Sequence, residues 1–503
     1  MLLRAEAPVP DVAEAGKEPA VYRAWVAWLD DLWALHSASD RLAVLDESGA
    51  VTGRQLAGMA MHAAEVLSGL DDRPGAAVPA LLTTNAAALA LLLGGAAADR
   101  PVAPMGPRLT AGELARMVSA SGARVIFTES RWYETAAAAA ALAGTDVHLV
   151  PSWRHSSAPL PNVRGDVAFR LHTSGTTGQP KRVPFPEDVL AARVAVSAKV
   201  IGLGPDHRYA TGSPLHHIAG LGNVLTALSV GAPVLPTTQF STRWWCGLRD
   251  AGATHCLLVP TMIEMLLAEG VLDVVPLGTL IYGAAPMSPE TLRRVLHTVP
   301  GVELVSIFGQ TEGSPITTLD PADHRRAAAD RPDLLHTVGR AAPGLELRIE
   351  TPDASGTGEV LAAAPHLSIH GDDGWLHTGD LGTLDDEGYL RLSGRRNDMV
   401  VRGGENVYPL EVEHVLAEHP GVAAAGVVGV PDQRLGETLA AFVVASEPSQ
   451  RPDHGDLARF TRARLAGFKV PAYWYDVPEL PLNSAGKLLR PKLLEQHLER
   501  IDT

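Results

Sequence analysis

At 503 residues the chain exceeds what one hydrophobic core organises, so two or more domains are expected. Hydrophobic residues make up 46% and charged residues 20%, the balance of a soluble globular protein rather than a disordered one. A net charge of −15 without a basic stripe excludes nucleic acid as a partner.

Two cysteines, Cys246 and Cys256, make neither a disulfide framework nor a zinc cluster, and they predict a reducing cytoplasm. Met1 to Glu6 lacks the apolar core of a signal peptide. The longest apolar run, Ala86 to Ala98, falls short of the ~20 residues of a membrane span. Bounded by Asn85 and Asp99, it predicts a buried helix.

In chain order, Asp11 to Ser37 spaces its Val, Trp and Leu residues as helical cover. Arg41 to Leu45 reads as a strand, Gly53 to Leu70 as a helix, Ala77 to Leu82 as a strand and Arg124 to Phe127 as another. Val167, Phe169 and Leu171 alternate with polar positions, as in a strand running into a loop. The beat returns in Thr254 to Val259 (strand), Thr261 to Glu269 (helix, ended by Gly270) and Leu277 to Tyr282 (strand). Ser288 and Pro289 then suit the cap and first position of a helix. Such alternation predicts an α/β fold with a parallel sheet covered on both faces. Character changes near Gly394 to Asp398. Beyond lie a helix (Leu410 to His419), two strands (Val422 to Val430, Ala440 to Val444) and a helix (Asp456 to Leu465). These predict a small α+β domain of about a hundred residues. The expected division is 1–396 and 397–503.

Five stretches carry chemistry. Thr173-Ser174-Gly175-Thr176-Thr177-Gly178-Gln179-Pro180-Lys181 is nearly all glycine, small hydroxyls and one lysine. Glycines let backbone N–H groups converge on an anion, hydroxyls add donors, and the lysine adds a mobile charge. It is not a Walker A loop, since no Gly-Lys-Ser/Thr ending follows. Val305 to Glu312 is a strand leading to a hydroxyl and a carboxylate, the oxygen ligand that a hard cation prefers. Trp375-Leu376-His377-Thr378-Gly379-Asp380 offers a charged hydrogen-bond acceptor. Gly394 to Pro409 combines Arg395, Asn397 and the pair Gly403-Gly404, and Pro481 to Lys487 ends on a lysine.

In this order the five stretches resemble the motifs of the adenylate-forming superfamily, the acyl-CoA synthetases and their relatives. The resemblance spans essentially the whole chain. It implies a large N-terminal domain of sheets and helices with a small mobile C-terminal lid. It implies ATP/AMP, Mg²⁺ and coenzyme A as ligands, with Thr173, Ser174, Gly175, Thr176, Thr177 and Lys181 cradling the phosphates. Thr311 would contact the α-phosphate, Glu312 hold Mg²⁺, Asp380 accept from the ribose hydroxyls and Arg395 meet the nucleotide. Phe308, Gly309, Gly283, Ala284 and Ala285 would pack along adenine. Lys487 would bridge the substrate carboxylate and the α-phosphate, Asn397 serve as hinge, and Gly403, Gly404 and Glu405 line the pantetheine channel. His217 stands at the family's aromatic gate beside an acyl pocket that includes Gly220, Tyr282, Gly283 and Gly313. No carboxylate or cysteine is spaced to complete a metal site with His216 and His217.

Two positions depart from the family pattern. Arg182 replaces the glycine that usually follows the loop lysine, and Asn397 replaces the usual Asp or Lys hinge. The family's Asp for an amino-acid substrate has no counterpart around Leu215-His216-His217, so the acid is not expected to be an α-amino acid. Gly220, Gly222, Gly283, Ala284 and Gly313 suggest a roomy apolar cavity for a bulky, aryl or fatty acid. The leading expectation is a carboxylate–CoA ligase acting through acyl-AMP, as a monomer or homodimer. Two alternatives are a divided enzyme that transfers acyl-AMP made by a partner adenylating enzyme, and an acyl-AMP ligase that loads a carrier protein. A serine hydrolase is disfavoured because no Gly-x-Ser-x-Gly elbow occurs.

Overall fold

The computed structural model describes residues 28–70, 75–160, 165–173, 181–285, 287–353, 356–447, 451–483 and 487–501. The expected helical cover before Trp28, the loop residues Ser174, Gly175, Thr176 and Thr177, and Ser484 to Gly486 lie outside them.

Local rules set the elements. Thr52 accepts a hydrogen bond from Gln55 N–H while the Gln55 side chain accepts from Thr52 N–H, a capping box that starts the helix Gly53–Ser68. The apolar run forms the helix Ala86–Ala97, buried everywhere except Ala87. A Cβ at Gly94 would lie 2.5 Å from the Ala60 carbonyl, so these two helices meet backbone to backbone. No described helix is long and apolar enough to cross a membrane.

Two large sheets and a smaller one build the N-terminal part. One has six strands, with Val78–Leu81 and Val102–Met105 at its centre and Val167–Thr173 and Lys181–Pro186 at one edge. The other has nine, including His255–Leu258, Thr279–Gly283, Glu303–Gln310 and Gly313–Leu319 as successive neighbours. The central pairings are parallel, as the alternation predicts. Two stretches expected as strand followed by loop are instead antiparallel hairpins: Val167–Thr173 with Lys181–Pro186, and Glu303–Gln310 with Gly313–Leu319. Only Thr311 and Glu312 separate the second pair, and so short a connection allows no parallel crossover. A four-stranded antiparallel sheet, which the sequence reading did not foresee, covers Glu346–Glu350 to Leu390–Arg395.

The turn Arg396–Asp398 then leads to a separate five-stranded sheet dominated by the pair Val422–Asp432 and Gly436–Ala445. Val412, Leu416, Val427, Leu439 and Leu457 form its core beneath the helices Pro409–Ala417 and His454–Arg462. The last helix, Arg490–Ile501, follows closely on Lys487.

Candidate active site

A cavity of about 570 Å³ opens at the carboxyl ends of the strands His255–Leu258, Thr279–Gly283 and Glu303–Gln310, where α/β sheets bind ligands. A second, of about 250 Å³, shares Tyr282, Gly283, Ala284, Arg395 and Lys487 with it.

At one end Lys181 Nζ lies 3.3 Å from Glu312 Oε1. Thr173 and Lys181 face each other across the first hairpin, so the intervening loop starts and ends at this point. Glu312 and half-buried Thr311 form the turn of the second hairpin. Gly309 is required beside it, because a Cβ there would lie 2.7 Å from the Ser314 Cβ. Arg182 points elsewhere: its NH1 donates to the Ala120 carbonyl at 3.2 Å, and it does not line the cavity. Successive residues of a strand face opposite ways, so Lys181 and Arg182 cannot both reach the phosphate end.

Next to this, Asp380 and Arg395 face each other on adjacent strands, with Arg395 Nε 3.0 Å from Asp380 Oδ1. Asp380 is buried, and among the described residues its Oδ2 has no partner. Burial pushes its carboxyl up, with Arg395 and Lys487 opposing the rise. Gly379, at φ +69°, turns the strand just before it. Phe308, Gly309 and Ala285 line the smaller cavity, with Ala284 in the left-handed region at φ +68°. Such a conformation in alanine costs about 1–2 kcal/mol and marks an over-determined turn.

The small domain closes the cleft. Lys487, Asn483 and Asn397 line the larger cavity together with Thr311 and Glu312. Asn483 Oδ1 accepts the Lys487 N–H at 2.9 Å, and the Lys487 carbonyl accepts the Asn483 N–H at 2.9 Å. Burial lowers the pKa of the Lys487 ammonium, Arg395 lowers it further, and Asp380 and Asp398 oppose. Arg490 bonds Glu413 Oε1 at 2.9 Å and pairs with Asp398 at 3.5 Å, tying the lysine loop to the turn that joins the domains. Burial pushes the Glu413 carboxyl up to about 7, with Arg490 opposing. Gly403 and Gly404, at φ +61° and +91°, form an exposed hairpin turn leading into Glu405. These three line neither cavity, so the structure does not bring them to the site.

The part of the cavity around His217, expected to take the acyl group, differs from expectation. His217 lines the cavity, and burial lowers its pKa to about 4; burial, then His217 and Arg108, takes His216 to about 3. The glycines, however, are filled rather than open. A Cβ at Gly220 would meet the Pro214 carbonyl at 2.1 Å, at Gly283 the Ile307 carbonyl at 2.4 Å, and at Gly313 the Leu367 side chain at 2.5 Å. Gly220 and Gly313 do not line the cavity at all. The Tyr282 side chain belongs to the core, its hydroxyl 2.8 Å from His324 Nε2.

Lining residues given no role from the sequence include His172, Arg193, Ser197 and Asn223. Among the described residues His172 has no partner for either ring nitrogen, and burial, then Arg182 and Arg170, lowers its pKa to about 4. Arg193 and Ser197 are buried on the helix Glu187–Ile201 in one stripe with Leu190, Val194 and Ile201. A cation inside an apolar stripe was the available signal.

A family model described as AMP-binding enzyme matches residues 32–368, and one described as AMP-binding enzyme C-terminal domain matches 411–487. The chain is 34% identical over 490 residues to fatty acid–[acyl-carrier-protein] ligase ScoC of Streptomyces coeruleorubidus, covering 90% of this chain and 93% of that protein. It is 32% identical over 467 residues to a feruloyl-CoA synthase of an Amycolatopsis species, covering 88% and 93%. A solved structure of o-succinylbenzoate CoA synthetase (MenE) of Bacillus subtilis, in complex with the acyl-adenylate intermediate OSB-AMP, matches with a TM-score of 0.79. Identity to it is 27%, covering 93% of this chain and 97% of that one.

Proposed function

The chain belongs to the AMP-binding enzyme family, among the ATP-dependent acyl-CoA synthetases, and from that premise we propose how its residues divide the reaction. An acid carboxylate attacks the α-phosphorus of ATP, the bond to pyrophosphate breaks, and acyl-AMP forms. A thiol then attacks the acyl carbon and AMP leaves. The convergence of Lys181, Glu312, Asp380 and Lys487 on one cleft carries this reading.

The unpartnered Asp380 Oδ2 suits a ribose, whose hydroxyls donate, and Arg395 fixes the other oxygen. Lys181 and the loop from Thr173 hold the phosphates. Glu312 would hold Mg²⁺, which when bound neutralises phosphate charge. Thr311 and Lys487 stabilise the in-line transition state, Lys487 by setting its ammonium between carboxylate and α-phosphate. His217 stands at the acyl gate.

We take the described closure, with Lys487 inside, as the adenylating arrangement. Rotation of residues 397–503 about Asn397 would then carry the Gly403–Glu405 turn to the cleft for thioester formation. We propose CoA as acceptor, because a turn without side chains at 403 and 404 admits a thin pantetheine chain. The acid we propose is bulky, aryl or fatty. Two free thiols, Cys246 and Cys256, suit a reducing cytoplasm.

The test is mass spectrometry of acyl-AMP and acyl-CoA with Mg²⁺, CoA and a panel of acids, in arms given ATP plus acid or preformed acyl-AMP. Thioester in both arms is expected. Thioester only from preformed acyl-AMP would reduce the protein to the second half-reaction, the divided enzyme. Acyl-AMP that accumulates beside CoA would turn the reading to a carrier protein as acceptor, in line with the likeness to ScoC.

A further inference from the structure

We infer that the acid carries a second oxyanion, a carboxylate or sulfonate, remote from the carboxylate that joins AMP, and that Arg193 receives it. This rests on the ligase reading above and names the substrate class it leaves open.

Arg193 is 2% exposed yet lines the cavity that also holds Lys487 and Thr311. Its NH1 donates to the Ser314 carbonyl, and among the described residues its Nε has no partner and no carboxylate pairs with it. A guanidinium stays charged under all working conditions, and a buried charge is retained only where something compensates it. Burial alone lowers its pKa to about 10, with no charged neighbour helping to hold the proton. One carbonyl uses one of five donors, and anchoring it needs no cation.

The surroundings are built for that group. A Cβ at Gly222 would lie 2.7 Å from both Nε and NH2 of Arg193, so the helix Ile218–Ser229 gives up a side chain where the guanidinium sits. Buried Ser197 and Asn223 line the same end and add neutral hydrogen-bonding groups. The planar fork matches a carboxylate or sulfonate with two parallel bonds. A molecule with an anionic group at each end then meets Lys487 at one and Arg193 at the other.

The experiment pairs diacids from succinate to sebacate with their monomethyl esters, and the three 3-(carboxyphenyl)propanoates with 3-phenylpropanoate, reading pyrophosphate release. For at least one pair the wild type should prefer the diacid by about 10²-fold or more in kcat/KM, mostly through KM. Arg193→Met should abolish that preference while keeping turnover of the singly charged acid, which also reports folding; Arg193→Lys should retain part of it. A wild type that prefers no diacid, or a preference that survives Arg193→Met, overturns the inference. If no acid gives acyl-AMP, the ligase reading fails separately. Calorimetry with acyl-sulfamoyl-adenosines bearing or lacking a distal carboxylate then decides. Tighter binding of the doubly charged analogue, lost in Arg193→Met, supports the inference, and equal binding sinks it.

Discussion

At the end of the cleft proposed for the nucleotide, two cations already face carboxylates of the chain: Lys181 lies 3.3 Å from Glu312, and Arg395 3.0 Å from Asp380. At the end proposed for the acyl group, Arg193 sits buried with a backbone carbonyl and no counter-ion among the described residues. In each pair a half-exposed cation offsets a buried carboxylate, and an incoming phosphate or cation need only exchange partners. A buried lone cation cannot relax in that way, so its environment discriminates strongly between ligands that complete it and ligands that do not. Lys181 and Arg395 thus rest paired, while Arg193, which we propose faces the variable substrate, has no counter-ion among the described residues.

Four predictions probe that contrast. Lys487→Ala should cut pyrophosphate release by about 10²-fold or more, yet leave thioester formation from preformed acyl-AMP unchanged. Equal losses in both half-reactions would contradict a lysine confined to the first. A dry acyl end should also show in stability. His172 and His217 have folded pKa values lowered to about 4, against an ordinary 6.5. The unfolded chain therefore binds protons first as pH falls below 6.5, and stability present above that pH is lost toward 4. Urea unfolding at pH 7 and pH 5 should differ by about 2 kcal/mol for each such histidine, and His217→Phe should flatten the slope. An unchanged midpoint would mean that this end is wet.

Asp380→Asn should raise KM for ATP about tenfold with a smaller effect on kcat, since it weakens charge-assisted bonds and unpairs Arg395. An unaltered KM would move the ribose elsewhere. Arg182→Gly should change pyrophosphate release by less than about twofold, because the side chain lies outside the cleft on the Ala120 carbonyl. A tenfold gain would mean that the arginine reaches the phosphates after all.

The two ends also differ in how far they could be read from sequence. Nucleotide-end residues sit at strand ends and turns, where a charge beside glycine or threonine has no packing role to disguise it. The resemblance of their motifs to a known family pointed to Lys181, Glu312, Asp380, Arg395 and Lys487, and the structure gathers these residues about one cleft. At the acyl end the same residue types mislead. Gly220 and Gly313 read as open space, yet each is small because something distant in the chain presses on it: the Pro214 carbonyl in one case, Leu367 in the other. Arg193 stayed hidden because the partner that makes it conspicuous, Gly222, lies on another helix. Strands were legible from alternation. Hairpins were not, because the direction of pairing depends on connection length rather than on the strand's own pattern.

The strand Lys181–Pro186 settles two matters with one odd–even choice. Lys181, Val183 and Phe185 share a face, and Val183 and Phe185 are fully buried, while Arg182 shares the other face with Pro184 and Pro186. Inserting or deleting a single residue here would expose both core side chains and present the wrong cation to Glu312 in the same stroke. Two-residue changes would preserve both. A one-residue change within this strand is therefore expected to cost more than a two-residue one, and a substitution at 182 less than either.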